Sequence, residues 1–516
     1  MQQESRVKKS LLNARVNLIF YFLTLALSFF SRKIFLDCLG ADFIGLTGTL
    51  GNLLGFLNLA ELGIGTTIGY VLYKPLYEQD KIKINDVISV LGYLYHWIGI
   101  IILVAGCVLA CFFPWIYPDT KFDFYIIYFA YFSFLASSLL GYFINYRQCL
   151  LGADQKNYVV AGYFQSVNIL KTIIQMLLAY YSGNYYLWII VELSFGILHS
   201  IILNWKIDQV YPWLKTTVKN GRELYTAYPE IIKYTKQMFV HRLGGFVQFQ
   251  LNPFLIYAFV SLQTVAYYGN YTIITQKVDA LINSFLGGTY ASVGNLIAEG
   301  DNRKILKVYW ELMCLRIWVA GAVVYTFYFQ LPDFIALWLG SEYIMSSSVL
   351  VIISISFFLN LVRGTTDQFI FGYGLFYDIW SPLVESLIFV VVALIGGYYY
   401  GLEGVLCGGI TSMILVIFIW KPYFLFKCGF KLSVNKYWLE CIKYLLIISC
   451  VFYISGLIHS NYLKTMLSES NSWVSWILNS SIVFILSATL LFLFLYITNV
   501  GMRDFTKRCL TLFFYK

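Results

Sequence analysis

The chain has 516 residues, of which 59% are hydrophobic, 19% aromatic and only 12% charged, with a mean hydropathy of +0.70. A soluble domain carries about 25% charged residues so that its surface can face water, and half that content excludes a set of soluble domains. The net charge of +9 does not imply nucleic acid as a partner, because the cations sit in short segments between apolar runs and not on one face.

The first fifteen residues are charged, and the apolar run behind them is too long for a signal peptide and lacks a cleavage site, so it reads as the first span. Apolar runs of membrane-crossing length then recur along the chain and predict an all-α polytopic membrane protein of about fourteen helices. Spans one to six are predicted at 16–38, 43–72, 87–112, 122–146, 158–181 and 185–204. After a polar segment, 205–236, spans seven to twelve fall at 237–260, 266–296, 306–330, 346–372, 379–398 and 402–420. Two more lie near 438–458 and 473–499. The cysteines fall mostly inside these runs (Cys107, Cys111, Cys314, Cys407, Cys450) with no CxxC or His/Cys ligand spacing. They read as small core residues, and no disulfide, metal or cofactor is expected.

Charge sets the orientation. With a cytoplasmic N-terminus, the inside segments hold 26 Lys and Arg residues and the outside loops hold two, Lys121 and Lys464. The positive-inside rule therefore puts both termini and the 205–236 segment in the cytoplasm. The outside loops are too short to form the outer domain expected of a membrane glycan polymerase or ligase.

The halves resemble each other at an offset of about 215–225 residues, as in many transporter folds. Gly152-Ala-Asp-Gln-Lys after span four matches Gly372-Tyr-Gly-Leu-Phe after span ten, with Gln148 and Gln368 four residues upstream. Trp205-Lys206 closes span six and Trp420-Lys421 closes span twelve. In span two Leu62-Gly63-Ile-Gly65 matches Leu286-Gly287-Gly288 of span eight. The expected organisation is a six-helix lobe (1–204), a cytoplasmic linker (205–236), a second six-helix lobe (237–430), and two further helices with a basic tail (431–516). The lobes should be related by a pseudo-twofold axis along the membrane normal.

The run Leu57-Asn-Leu-Ala-Glu61-Leu-Gly-Ile-Gly65, followed by Leu72-Tyr-Lys-Pro75-Leu, resembles the second-span signature of Wzx-type polysaccharide-export flippases. These belong to the multidrug/oligosaccharidyl-lipid/polysaccharide exporter superfamily. Phe334-Ile-Ala-Leu-Trp-Leu-Gly340-Ser-Glu-Tyr, Trp380-Ser-Pro-Leu-Val-Glu385, Gly401-Leu-Glu-Gly404-Val and Trp420-Lys-Pro422 continue the pattern, which covers about residues 15–430. The resemblance implies two lobes around a central cavity, working by alternating access. It implies export of an undecaprenyl-pyrophosphate-linked oligosaccharide across the bacterial inner membrane for O-antigen, capsule or exopolysaccharide. It also implies contact with membrane lipids, a polysaccharide polymerase or export machinery as partner, and H+ or Na+ as coupling ion. Span seven of relatives often carries an acid where this chain has Gln250-Leu-Asn252-Pro253. The alternatives are a multidrug or cation antiporter of the same superfamily, or a glycan polymerase or ligase. The chain has no GxxxxGK[ST] loop, which agrees with transport that is not driven by an ATPase.

A dianionic pyrophosphate crossing about 30 Å of hydrocarbon needs fixed positive charge in a hydrated cavity, so each intramembrane ionisable group is a candidate. Lys171 lies near the middle of span five, on one face with Asn168, Thr172 and Gln175. Arg32 either faces a cavity or pairs with Asp37. Arg316 has Glu311 a turn and a half away, and Arg242 and Lys277 lie in spans seven and eight. Arg363 and Asp367 are four apart and are expected to pair. Asn58, Glu61 and Gly65 share a face of span two, and Gln276, Asp279, Asn283 and Gly287 share one of span eight. Glu61 and Asp279 are the candidates for carrying a coupling ion. Two GxxxG runs, Gly51–Gly55 and Gly65–Gly69, suggest close helix packing.

Overall fold

The computed structural model describes residues 6–514 except 62–63, 119, 155, most positions of 219–249 and 287–298, 376, and 459–471. Helices account for nearly all of it, with no strand among the described residues. The chain divides into two compact units, Met1–Ala266 and Tyr267–Lys516.

The first unit contains α1 (Arg6–Leu39), α2 (Ala41–Leu57), α3 (Ile64–Glu78), α4 (Lys81–Ala110), α5 (Phe124–Phe143), α6 (Asn157–Ser182) and α7 (Tyr185–Val210). Positions 250–259 are also helical. Each follows a predicted span, because a chain in hydrocarbon must satisfy its own backbone and only a helix does so within one segment. The ends carry local stop and start signals. Gly183 leaves α6 in the left-handed conformation at φ 57°, and the Asn184 side chain accepts from the Tyr186 and Leu187 amides to begin α7. Two residues thus reverse the chain. Within the unit α1 packs along α6, α5 along α7, and α6 against α7.

Span two is not the continuous helix expected over 43–72. It breaks after Leu57 into a tight 3-10 turn, Asn58–Glu61, before α3. Glycines 63 and 65 and the polar pair Asn58 and Glu61 weaken helix continuity, and an apolar-run reading passes over them.

The boundary between the units falls inside α8 (Leu262–Leu286). The second unit continues with α9 (Asn302–Trp338), α10 (Ser347–Gly372), α11 (Trp380–Ser412), α12 (Asn435–Ile458), α13 (Trp473–Thr498) and α14 (Val500–Phe514). The Asp301 side chain caps α9 by accepting from the Arg303 and Lys304 amides. The predicted spans eleven and twelve meet within α11 at Gly401, whose φ of 56° and ψ of −126° suit only glycine. Around that turn a β-carbon on Gly404 would overlap the Gly396 carbonyl. Span twelve runs on as wide-turn π-helix, Met413–Trp420 and Leu425–Phe430, past the predicted end at 420. Pro422, which lacks an N–H, falls in the first turn of the α-helical piece Lys421–Phe424 between the two π stretches, where that N–H is least needed. Helix α9 is the hub, packing against α10, α13 and α14, while α12 packs on α13.

Among the described residues eight helices are long and apolar enough to cross a membrane, counting Trp380–Phe430 as one. Ile395, Leu445, Leu446 and Ile485 are more than half exposed, as lipid-facing side chains are. The protein is a multi-pass α-helical membrane protein.

Candidate substrate site

Lys171 lies eleven residues before the end of α6, about 16 Å along its axis. It does not stand alone: its Nζ donates to Glu192 Oε1 of α7 at 2.7 Å. Gln175, one turn on, donates from Nε2 to Glu192 Oε2 at 3.0 Å and to the Trp188 carbonyl at 3.3 Å. The i, i+4 pairs Lys171/Gln175 and Trp188/Glu192 thus join two helices across the short reversal at Gly183. Thr172 bonds back to the Asn168 carbonyl of its own helix at 2.8 Å, and the Asn168 side chain is exposed. Of the predicted polar face, Lys171 and Gln175 enter the network.

Helices α1, α2, α5 and α7 line an open cavity of about 590 Å³ in this unit. Arg32, Asn58, Trp188 and Glu192 are among its walls. Arg32 donates from Nη2 to the Ala266 carbonyl at 2.8 Å. Asn58 Oδ1 lies 3.5 Å from the Ser138 hydroxyl. Glu61, where span two breaks, accepts from Tyr95 Oη at 2.5 Å and Tyr142 Oη at 2.8 Å. Two phenol donors thus hold the carboxylate.

The glycines of α2 divide into two kinds. A β-carbon on Gly55 would strike the Gln250 side chain, in keeping with close packing, whereas one on Gly48 or Gly51 would meet nothing within 4 Å. Gly69 is equally open, and Gly65 has only the Tyr95 hydroxyl at 3.4 Å. Close packing therefore accounts for Gly55 alone among the four glycines of the two GxxxG runs; Gly51 lines the cavity.

In the second unit Asp279 Oδ1 accepts from Asn360 Nδ2 of α10 at 3.2 Å. Asn283 also hydrogen-bonds Asp279, and Arg316 and Arg363 act on it electrostatically. Gln276 is exposed and Lys277 half-buried. Arg316 is buried, donating from Nη1 to the Leu361 carbonyl at 3.2 Å, in space that a side chain at Gly364 would fill. Glu311, its expected neighbour, turns instead to Arg508 of α14, at 2.9 Å. Arg363 and Asp367 pair at 3.0 Å as the spacing predicts, and Lys421 joins them at 3.3 Å from Asp367. The buried Glu385 feels the charges of all three. Arg242 and Gly287 lie outside the described residues.

Sequence reasoning missed Glu192, Glu385 and the part played by Lys421. The signal for Glu192 was present, since it is an acid inside an apolar span joined by a two-residue turn to the helix that carries Lys171. Lys421 was assigned to a loop because span twelve was ended at 420, ten residues too early.

Long apolar helices in two units define the class: a multi-pass α-helical membrane protein. The comparisons agree. No family model matches the chain. A curated relative from Yersinia pseudotuberculosis, described as "Putative O-antigen export protein", is 24% identical over 426 residues, covering 77% of this chain and 91% of the relative. Among solved structures, the lipid II flippase MurJ in an inward closed conformation is similar at a TM-score of 0.63 and 15% identity, covering 92% of this chain and 98% of that one. An inward-facing multidrug resistance MATE family transporter of the MOP superfamily is similar at 0.61 and 16%, covering 81% and 99%. The fold is the one these transporters share, and the resemblance to exporters of this superfamily, seen in the span-two run, extends over most of the chain.

Proposed function

We propose that this protein is a flippase that moves an undecaprenyl-pyrophosphate-linked oligosaccharide from the inner to the outer leaflet of the cytoplasmic membrane, for surface polysaccharide synthesis. The observation that carries this reading is a polar cavity at membrane depth, walled by Arg32 and by the Glu192 that Lys171 holds. The Yersinia relative's name, an O-antigen export protein, supports it. The lobes, 1–204 and 237–430, alternate access about a pseudo-twofold axis along the membrane normal, with 431–516 as an addition. Both termini face the cytoplasm. Arg32, Lys171, Arg242, Lys277 and Arg316 supply positive charge to the pyrophosphate, and polar linings such as Asn58, Asn168, Gln175, Gln276 and Asn283 keep its path hydrated. Glu61 and Asp279 carry the coupling ion, H+ or Na+, and a polysaccharide polymerase takes the product.

Deletion of the gene tests this. Lipid-linked repeat units should accumulate on the cytoplasmic side, Lys171→Ala should fail to clear them, and Lys171→Arg should do so in part. Normal surface polysaccharide in the deletion strain would overturn the reading. The similarity to a MATE transporter favours drug antiport as the second reading, which predicts increased drug sensitivity in the deletion strain without any lipid-linked intermediate.

A further inference from the structure

We propose that the cavity of the first unit is a sugar subsite, which takes a hydroxyl-rich ring of the carried glycan beside the cations that meet its pyrophosphate. This rests on the flippase reading and adds to it a place where the glycan is recognised within one unit. At about 590 Å³ the cavity falls within the range of small-molecule sites, roughly 300–1,000 Å³.

Two independent features point to a polyol. The first is the mixture of groups on the wall. Glu192 spends two acceptor positions on Lys171 and Gln175, and a carboxylate offers about four, so it retains capacity for hydroxyl donors. Its charge is matched by Lys171, so the carboxylate offers acceptors without repelling or demanding an ion. Ser137, Ser138 and Asn58 add short neutral donors and acceptors from two other helices.

The second is the pair of open glycines. Gly48 and Gly51 lie inside α2, where glycine costs a helix about 1 kcal/mol relative to alanine. No neighbour occupies the space of their missing β-carbons. They weaken the helix without bringing another one closer, and what they provide is cavity.

The test is binding to the purified full-length protein in lipid nanodiscs, with two probes. One is the lipid-linked oligosaccharide extracted from a strain lacking this gene; the other is undecaprenyl pyrophosphate without a glycan. The wild type should prefer the glycan-bearing lipid by tenfold or more, about 1.4 kcal/mol. Gly51→Leu, which fills the cavity from a position with no neighbour to displace, should reduce that preference to less than about twofold. Gly69→Leu, at an equally open glycine outside the cavity, should keep it. Retention of the tenfold preference by Gly51→Leu would overturn the subsite while leaving the flippase reading intact. A wild type that binds neither probe would sink both. If Gly51→Leu fails to give monodisperse protein, Gly48→Leu takes its place, because Gly48 lines the same cavity one turn earlier and is equally open. It should likewise reduce the preference to less than about twofold, and an unchanged preference would count equally against the subsite.

Discussion

Replacing Lys171 by alanine removes the cation that holds Glu192 at 2.7 Å and leaves the carboxylate with Gln175 alone. The side chains of the pair are 19% and 28% exposed, so it is largely withdrawn from solvent. Removing one partner of a buried pair costs about 3–5 kcal/mol. Lys171→Ala should therefore destabilise the first unit by roughly 3 kcal/mol. Lys171→Met combined with Glu192→Gln removes both charges and should recover most of the loss, as replacing a buried pair together often does. Unfolding midpoints of the wild type, Lys171→Met, Glu192→Gln and the double variant complete a double-mutant cycle. A coupling energy within about 0.5 kcal/mol of zero would refute the pairing. Export by the double variant then separates the roles: normal export means that the lysine serves the fold, and lost export at wild-type stability means that it serves the substrate.

Arg508→Ala strands Glu311, which is 2% exposed. It should lower the unfolding midpoint, with a loss of about 2–3 kcal/mol that Glu311→Gln in the same chain partly restores. Gly404→Ala places a methyl group on the Gly396 carbonyl and should cost at least about 2 kcal/mol, measured as lost monodisperse yield and a lower midpoint. Tyr95→Phe and Tyr142→Phe each remove one donor to Glu61. Each should cost about 1.5–3 kcal/mol as a bond to a charged acceptor, and an unchanged midpoint in both would show that the carboxylate is otherwise satisfied.

The helices were legible because hydrocarbon imposes a length and a composition on any segment that crosses it. The apolar runs at 158–181 and 473–499 became α6 and α13 to within a residue at each end. Misreadings occurred where composition and geometry diverge. Span two is apolar enough for one helix, yet its polar and glycine positions break it at Asn58–Glu61. Span twelve has a lysine and a proline that look like an end, and wide turns carry it ten residues further. The site was legible as a list of costly charges but not as a set of partners. Helical periodicity places Asn168, Lys171, Thr172 and Gln175 on one face without saying what faces them. It placed Glu311 a turn and a half from Arg316, while the partner of Glu311 is Arg508 of α14, nearly two hundred residues away.

The sequence pattern that matches Gln148 with Gln368 says nothing of partners, and the residues before them are Arg147 and Asp367. In the first unit Arg147 pairs with Asp208 of α7 at 2.7 Å, with Asn204 bonding the same guanidinium. In the second, Asp367 pairs with Lys421 in span twelve, at the position that matches Lys206. Each unit thus ties the end of its fourth span to the end of its sixth with an ion pair, and the polarity is opposite in the two. An alignment that scores residue identity counts arginine against aspartate as a mismatch. What the halves share there is the need to hold two helix ends together at the edge of an apolar layer, where a pair of either sign does the same work because its charges cancel locally.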